Sequence, residues 1–115
     1  MIKIAICDDE ANIRTYLSLL IRAQFCPCEI AEYADAGDCL ADTQEIALLF
    51  LDIELVPGRP DGMELARKIR ERSTTVQPVI IFVTGYERYV FDAFDVGAFQ
   101  YLLKPVDEEK FAQVF

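Results

Sequence analysis

Short runs of aliphatic residues alternate along the chain with stretches whose apolar positions recur every three or four residues. The run "IKIAIC" (2–7) predicts a strand. "NIRTYLSLLIRAQF" (12–25) predicts a helix with Ile13, Leu17, Leu20, Ile21 and Gln24 on one stripe. "CEIAEYA" (28–34) alternates as a half-buried strand does, with Ile30 inward, and "AGDCLADTQ" (36–44) reads as a short helix. "IALLFLD" (46–52) is continuously apolar, the mark of a strand covered on both faces. "VPGRPDG" (56–62) is a loop, and Pro57-Gly58 fits the centre of a type II turn. A helix over 63–73 with Ala66 and Ile69 inward, a buried strand over 78–84, and a helix over 87–94 closed by Gly97 follow. A strand over 99–104 and a helix over 107–115, with acids at its positive end, finish the chain. Strand and helix therefore alternate five times. That order predicts an α/β domain, a doubly wound parallel sheet with right-handed crossovers and helices on both faces.

The 115 residues suit one domain, residues 1–115, with no internal repeat or linker. The final helix has room for only about two turns, so the chain reads as cut within it, with no output domain present. A composition that is 53% hydrophobic and 27% charged is globular rather than disordered. The charge is lopsided: 20 acidic against 11 basic residues, net −9. Such a surface disfavours direct contact with nucleic-acid phosphates or anionic lipid and favours cations or a partner with a basic face. The longest apolar runs are too short to span a bilayer, and the chain opens on no signal peptide. A cytoplasmic location is the expectation, with Cys7, Cys26, Cys28 and Cys39 as reduced thiols. "CPC" (26–28) suggests a metal only weakly, because the chain has no histidine.

Open parallel sheets bind ligands beyond the carboxyl ends of their strands. The first predicted strand ends in Asp8 and Asp9, the third in Asp52, the fourth in Thr84 and the fifth in Lys104. Each residue alone has an ordinary explanation: helix-start acids, a strand-end carboxylate, a turn hydroxyl, a solvated lysine. Jointly they converge on one edge. Two like charges about 4 Å apart repel by roughly 4 kcal/mol at an effective dielectric near 20. A cation is therefore expected among the acids. Hard carboxylate ligands suit Mg²⁺, which can bridge to a phosphoryl oxygen. Thr84 and Lys104 are then placed for the remaining phosphoryl oxygens, and Asp52 for the nucleophile. Glu10 reads as a helix-start residue.

The segments "CDDE", "LLFLD", "FVTG" and "YLLKP", in this order and spacing, resemble the receiver domain of two-component response regulators over essentially the whole chain. The resemblance implies a flavodoxin-like sheet of strand order 2-1-3-4-5 and a cis Lys104–Pro105 bond. It makes Asp52 the phosphoacceptor, which takes its phosphoryl group from a sensor histidine kinase or a small donor. Asp8, Asp9 and Asp52, with the Glu54 backbone carbonyl, become the Mg²⁺ site. Thr84 becomes the switch hydroxyl, Lys104 the charge partner and Tyr101 the switch aromatic. Thr84 and Lys104 draw inward on phosphorylation, Tyr101 fills the vacated space, and the face of helix 4, strand 5 and helix 5 changes shape. That face is expected to control a homodimer or an output domain, so the domain is a switch and not a turnover enzyme. The stretch "YERYVFDAFDVGAFQYLLKPVDEEKF" resembles the receivers of LytTR-type transcription regulators, whose DNA-binding domain follows.

One departure from the family pattern is the long loop "DIELVPGRPDG" from Asp52 to Gly62. Glu54 and Tyr86 flank the pocket, each two residues past a site residue, where the family tunes phosphoryl lifetime; a bulky Tyr86 is expected to hinder attacking water. "LFLDIEL" also resembles, loosely, the Asp-x-Asp strand end of haloacid dehalogenase-like phosphatases, and a receiver-like module that takes no phosphate is the other alternative. In the aromatic stretch, Phe94 and Phe99 are expected in the core. Phe91 or Tyr101 is a candidate for an outward patch that suits a partner.

Overall fold

The computed structural model describes residues 2–24, 27–42, 45–72 and 78–114. Ten elements alternate: β1 (Ile2–Cys7), α1 (Ala11–Gln24), β2 (Cys28–Tyr33), α2 (Ala36–Ala41), β3 (Ile46–Leu51), α3 (Asp61–Arg72), β4 (Val79–Thr84), α4 (Val90–Asp95), β5 (Gln100–Leu103) and α5 (Glu108–Gln113). The strands form one parallel sheet in the order β2-β1-β3-β4-β5, as the alternation and the resemblance lead one to expect. The Lys104–Pro105 bond is cis.

Strand side chains point alternately to opposite faces, and this divides the core in two. Ile4, Ile6, Leu48, Phe50, Ile81 and Val83 pack under α1 and α5, meeting Leu17, Leu20, Ile21 and Phe111. Ala5, Cys7, Leu49, Leu51, Ile80 and Phe82 pack under α2, α3 and α4. The rings of Phe50 and Phe111 stack with centroids 5.5 Å apart, which seats α5 on the middle of the sheet. Ile46 breaks the alternation and joins the α3 side, because the β1–β3 register shifts between Lys3 and Ile4. In α1 the stripe narrows: Leu17, Leu20 and Ile21 are buried, Ile13 is half-buried and Gln24 is exposed. Ala66 and Ile69 face the core as the spacing predicts. Ile30 lies on the edge strand β2 and is half-buried against the α1 side of the sheet.

Two expectations about the aromatic stretch need correction. Phe94 is 74% exposed and Phe99 58%. α4 is short and buries only Ala93, with Val96 beyond its end, so the register that places these inward turns Phe94 to solvent with Phe91. The helix also starts later than 87, because Glu87 to Tyr89 form a turn from which Arg88 and Tyr89 reach the Glu54 carboxylate. Its end is as predicted. Gly97 N–H donates to the Phe94 carbonyl and Ala98 N–H to that of Ala93, the paired bonds of a Schellman closure. Cys7, Cys28 and Cys39 are free thiols, while Cys26 of the "CPC" pair lies outside the described residues.

Candidate functional site

Three of the site residues are each fixed by a hydrogen bond that continues a strand ladder past its last pair. Asp8 N–H donates to the Tyr33 carbonyl at 3.0 Å, Asp52 N–H to that of Cys7 at 3.0 Å, and Lys104 N–H to that of Thr84 at 2.8 Å. The backbone thus aims three side chains from separate strands at one edge. Carboxylate oxygens of Asp8, Asp9 and Asp52 all lie within 4.8 Å of one another. Asp8 and Asp52 are buried and Asp9 is exposed. Lys104 Nζ reaches into the group, 2.9 Å from Asp8 Oδ2 and 3.0 Å from Asp52 Oδ2. The other Asp8 oxygen accepts the Glu10 N–H at 2.9 Å, just ahead of α1. Glu10 itself is exposed, consistent with a helix-start residue.

Burial pushes the Asp52 carboxyl above its ordinary range, and the charge of Asp8 adds to this; Lys104 opposes it without cancelling it. Asp9 is raised as well, by its partial burial first and by Asp8 second. For Lys104, burial lowers the ammonium's pKa, but hydrogen bonds to Asp8 and Asp52 outweigh that and leave it raised. The four groups therefore form one charge cluster with an acidic excess. Asp52 Oδ1 and Thr84 Oγ1 are both buried without a hydrogen-bond partner. The Thr84 hydroxyl is near enough to favour the ionised Asp52 slightly without closing a bond to it. Buried orphaned polar atoms are costly and call for an absent partner.

A cavity of about 340 Å³ opens over these groups, lined by Asp9, Asp52, Lys104 and, on its outer wall, Glu54, Pro57 and Tyr86. The long loop after Asp52 turns at Val56–Arg59. Arg59 N–H donates to the Val56 carbonyl at 2.9 Å, and Gly58 takes φ +81°, the left-handed value that a type II turn requires at its third residue. Gly62 sits hard against the chain leaving β3, its N–H donating to the Ile53 carbonyl at 2.7 Å. Tyr101 packs against Phe82 and donates from its hydroxyl to the Tyr86 carbonyl.

The five residues at the predicted strand ends thus come together, and Tyr101 borders them. The sequence reading missed what the Glu54 side chain does. It accepts from Gly58 N–H at 3.0 Å and from the Tyr89 hydroxyl at 2.7 Å, and it pairs with Arg88. The Tyr89 bond foremost, then Gly58 and Arg88, holds its carboxyl below the ordinary glutamate value. The only signal in the sequence was one acid on one loop and one arginine on another, with nothing to pair them.

The fold is a doubly wound α/β sheet of the class that binds its ligands beyond the carboxyl ends of its strands, and here acids and a lysine gather at that edge. The chain belongs to the response regulator receiver domain family, whose model matches residues 4–115. It is similar to the "Sensory transduction protein LytT" of Bacillus subtilis (strain 168), 35% identical over an alignment of 116 positions that covers 98% of this chain and 46% of LytT. It is also similar to the "Transcriptional regulatory protein BtsR" of Salmonella typhi, 33% identical over 112 residues, 96% of this chain and 45% of BtsR. Among solved structures, the response regulatory domain of protein mrkE from Klebsiella pneumoniae superposes with a TM-score of 0.84 at 31% identity, covering 98% of this chain and 91% of that one. The chain spans a little under half the length of the curated relatives it matches. No helix among the described residues is long and apolar enough to cross a membrane.

Proposed function

We propose that this domain is the phosphoacceptor switch of a two-component system and that Asp52 takes the phosphoryl group. The observation that carries the reading is the state of Asp52. One carboxylate oxygen is neutralised by Lys104, the other is buried without a partner, and the residue lines a cavity with Asp9. An Asp52 oxygen attacks the phosphorus of a donor, either the phosphohistidine of a sensor kinase or a small acyl phosphate. The bond from phosphorus to the donor breaks, and its electron pair leaves with the donor. Lys104 supplies charge to the transferred group, and the orphaned Thr84 hydroxyl becomes a hydrogen-bond donor to it.

The acids fit a hard divalent cation, because three carboxylates converge while one ammonium offsets only part of their charge. Asp8, Asp9 and Asp52, with the Glu54 carbonyl, would hold Mg²⁺, which when bound neutralises the carboxylates and draws electron density from the phosphoryl group. Adding Mg²⁺ is expected to raise the melting temperature by relieving that repulsion. At a hundredfold excess over its dissociation constant the gain is about 2.7 kcal/mol. A melting curve unmoved by millimolar Mg²⁺ would remove the ion from the site.

The phosphoryl group adds negative charge that draws Thr84 and Lys104 toward it, and Tyr101 follows Thr84. Phosphorylation acts by stabilising one of two arrangements. The exposed Phe91, Phe94 and Phe99 make the α4–β5 side an apolar surface. That surface suits a second copy of the domain or an output domain, and the BtsR relative, a transcriptional regulatory protein by name, points to transcription as the output. The net charge of −9 leaves DNA contact to such an output domain, in the cytoplasm where the kinase's own domain would meet it. Incubation with acetyl phosphate and Mg²⁺ tests the reading: one acid-labile phosphate per chain, mapped to Asp52, is expected. Continuous turnover of a phosphate ester without a labelled chain would favour the phosphatase alternative.

A further inference from the structure

Arg88 joins two loops across the mouth of the site. Its Nη2 pairs with Glu54 Oε2, and its guanidinium carbon lies 4.4 Å from the centre of the Tyr86 ring and 5.0 Å from that of Tyr89. Glu54 is a firm anchor. Its side chain is only 3% exposed, and Gly58 N–H and the Tyr89 hydroxyl hold it. Tyr86 is not firm. It is 40% exposed, and although Tyr101 holds its carbonyl and Tyr89 meets it edge to face, the cation over its ring is its one charged contact among those described. Tyr86 is among the residues that line the cavity over Asp52.

Resting on the acceptor reading above, we propose that Arg88 is a positioning residue. Anchored through Glu54, it holds the Tyr86 ring across the solvent side of the Asp52 cavity and so slows hydrolysis of the phosphoryl group that Asp52 carries. In that hydrolysis a water oxygen bonds to phosphorus opposite the Asp52 oxygen. The bond from phosphorus to Asp52 breaks, its electron pair returns to the carboxylate, and inorganic phosphate leaves with the water's protons shared between it and solvent. The water must come through the cavity, and a ring fixed in the wall narrows its approach. A ring released from its cation keeps only its edge contact with Tyr89 and is freer to swing outward, since no other charged group among the described residues contacts it.

The experiment labels the protein with acetyl phosphate and Mg²⁺, removes the donor and follows acid-labile phosphate. Arg88→Ala is expected to lose label about fivefold faster than the parent, the scale of an exposed cation–ring contact. Its rate of labelling is expected to match the parent, since the described contacts of Arg88 are with Glu54, Tyr86 and Tyr89, while its melting temperature is expected to fall because the nearly buried Glu54 carboxylate loses its cation. Arg88→Lys keeps the cation and is expected to fall between the two. Because Arg88 acts through Tyr86, the double variant Arg88→Ala/Tyr86→Ala should lose label no faster than Tyr86→Ala alone. In the unphosphorylated protein, the proton signals of the Arg88 side chain should lose in Tyr86→Ala the part of their ring-current shift that Tyr86 supplies, while the part from Tyr89 remains. Decay of Arg88→Ala at the parental rate, or effects of the two substitutions that multiply, would overturn the proposal while leaving Asp52 as acceptor. A parent protein that takes no label would sink both.

Discussion

Asp52→Asn is expected to take up no acid-labile phosphate from acetyl phosphate and Mg²⁺ while keeping the parental fold. Asparagine has the shape of aspartate and can still meet Lys104 with its amide oxygen, but it lacks the anionic nucleophile. The metal-free variant is further expected to melt no lower than the parent. Burial, aided by Asp8, raises the Asp52 pKa on folding despite Lys104. A carboxyl raised in this way binds its proton more tightly in the folded state. Stability therefore falls as pH rises from the ordinary aspartate value through the folded one. Above that window the ionised side chain is a net cost, and the neutral isostere removes it. Circular dichroism melts at neutral pH and at pH 4 check the sign: the variant's advantage should shrink at the lower pH. Label retained by the variant would assign the acceptor elsewhere, and a markedly lower melting temperature would mean that the Lys104 bridge outweighs the desolvation of Asp52.

Gly62→Ala is the substitution expected to cost most stability. A Cβ built at this position would lie 1.8 Å from the Asp52 carbonyl oxygen, 2.8 Å from its carbon and 2.9 Å from the Ile53 Cα. All three are backbone atoms, which no side-chain rotation can clear. Either α3 lifts from the end of β3 and gives up the Gly62–Ile53 hydrogen bond, or the Asp52 peptide tilts and carries the acceptor with it. Overpacking of this kind costs about 3 kcal/mol or more, a fall in melting temperature of roughly 10 °C for a domain of this size. Urea titration measures the first figure directly. A second reading comes from phosphorylation by acetyl phosphate, which should slow in whatever fraction stays folded. Wild-type stability in Gly62→Ala would show that α3 does not seat against the acceptor strand in this way.

The alternation of apolar runs carried nearly all of the architecture, because a parallel sheet with both faces covered needs continuous apolar strands and one-sided helices. Ile46–Leu51 and Val79–Thr84 fall within a residue of their expected bounds for that reason. The site was legible too, since strand ends bring distant residues such as Asp8, Asp52 and Lys104 to one edge once strand order is known. What failed was local burial around α4. Hydrophobicity alone assigned Phe94 and Phe99 to the core, whereas the helix is so short that its inward face is spent on Ala93 and the following Val96. A single sequence does not separate a large ring on the surface from one in a core. The clamp of Arg88, Tyr89 and Gly58 on Glu54 was hidden for a different reason. It joins two loops through side chains, and loop-to-loop pairing leaves no periodic trace.

The strand pairings do not all stop at the same height. β3 and β4 part at Leu51 and Phe82, whereas β4 stays paired with β5 up to Thr84 and Leu103. Above that fork the upper end of β4 is yoked to β5 and free of the strand that bears Asp52. On the proposed reading, a pull on Thr84 would be geared to the neighbouring backbone at Leu103 and, through it, to the segment bearing Tyr101, with no ladder bond carrying it back to the strand before Asp52. Motion made at the pocket would then be delivered sideways, toward the outer edge of the sheet, by a split in its weave.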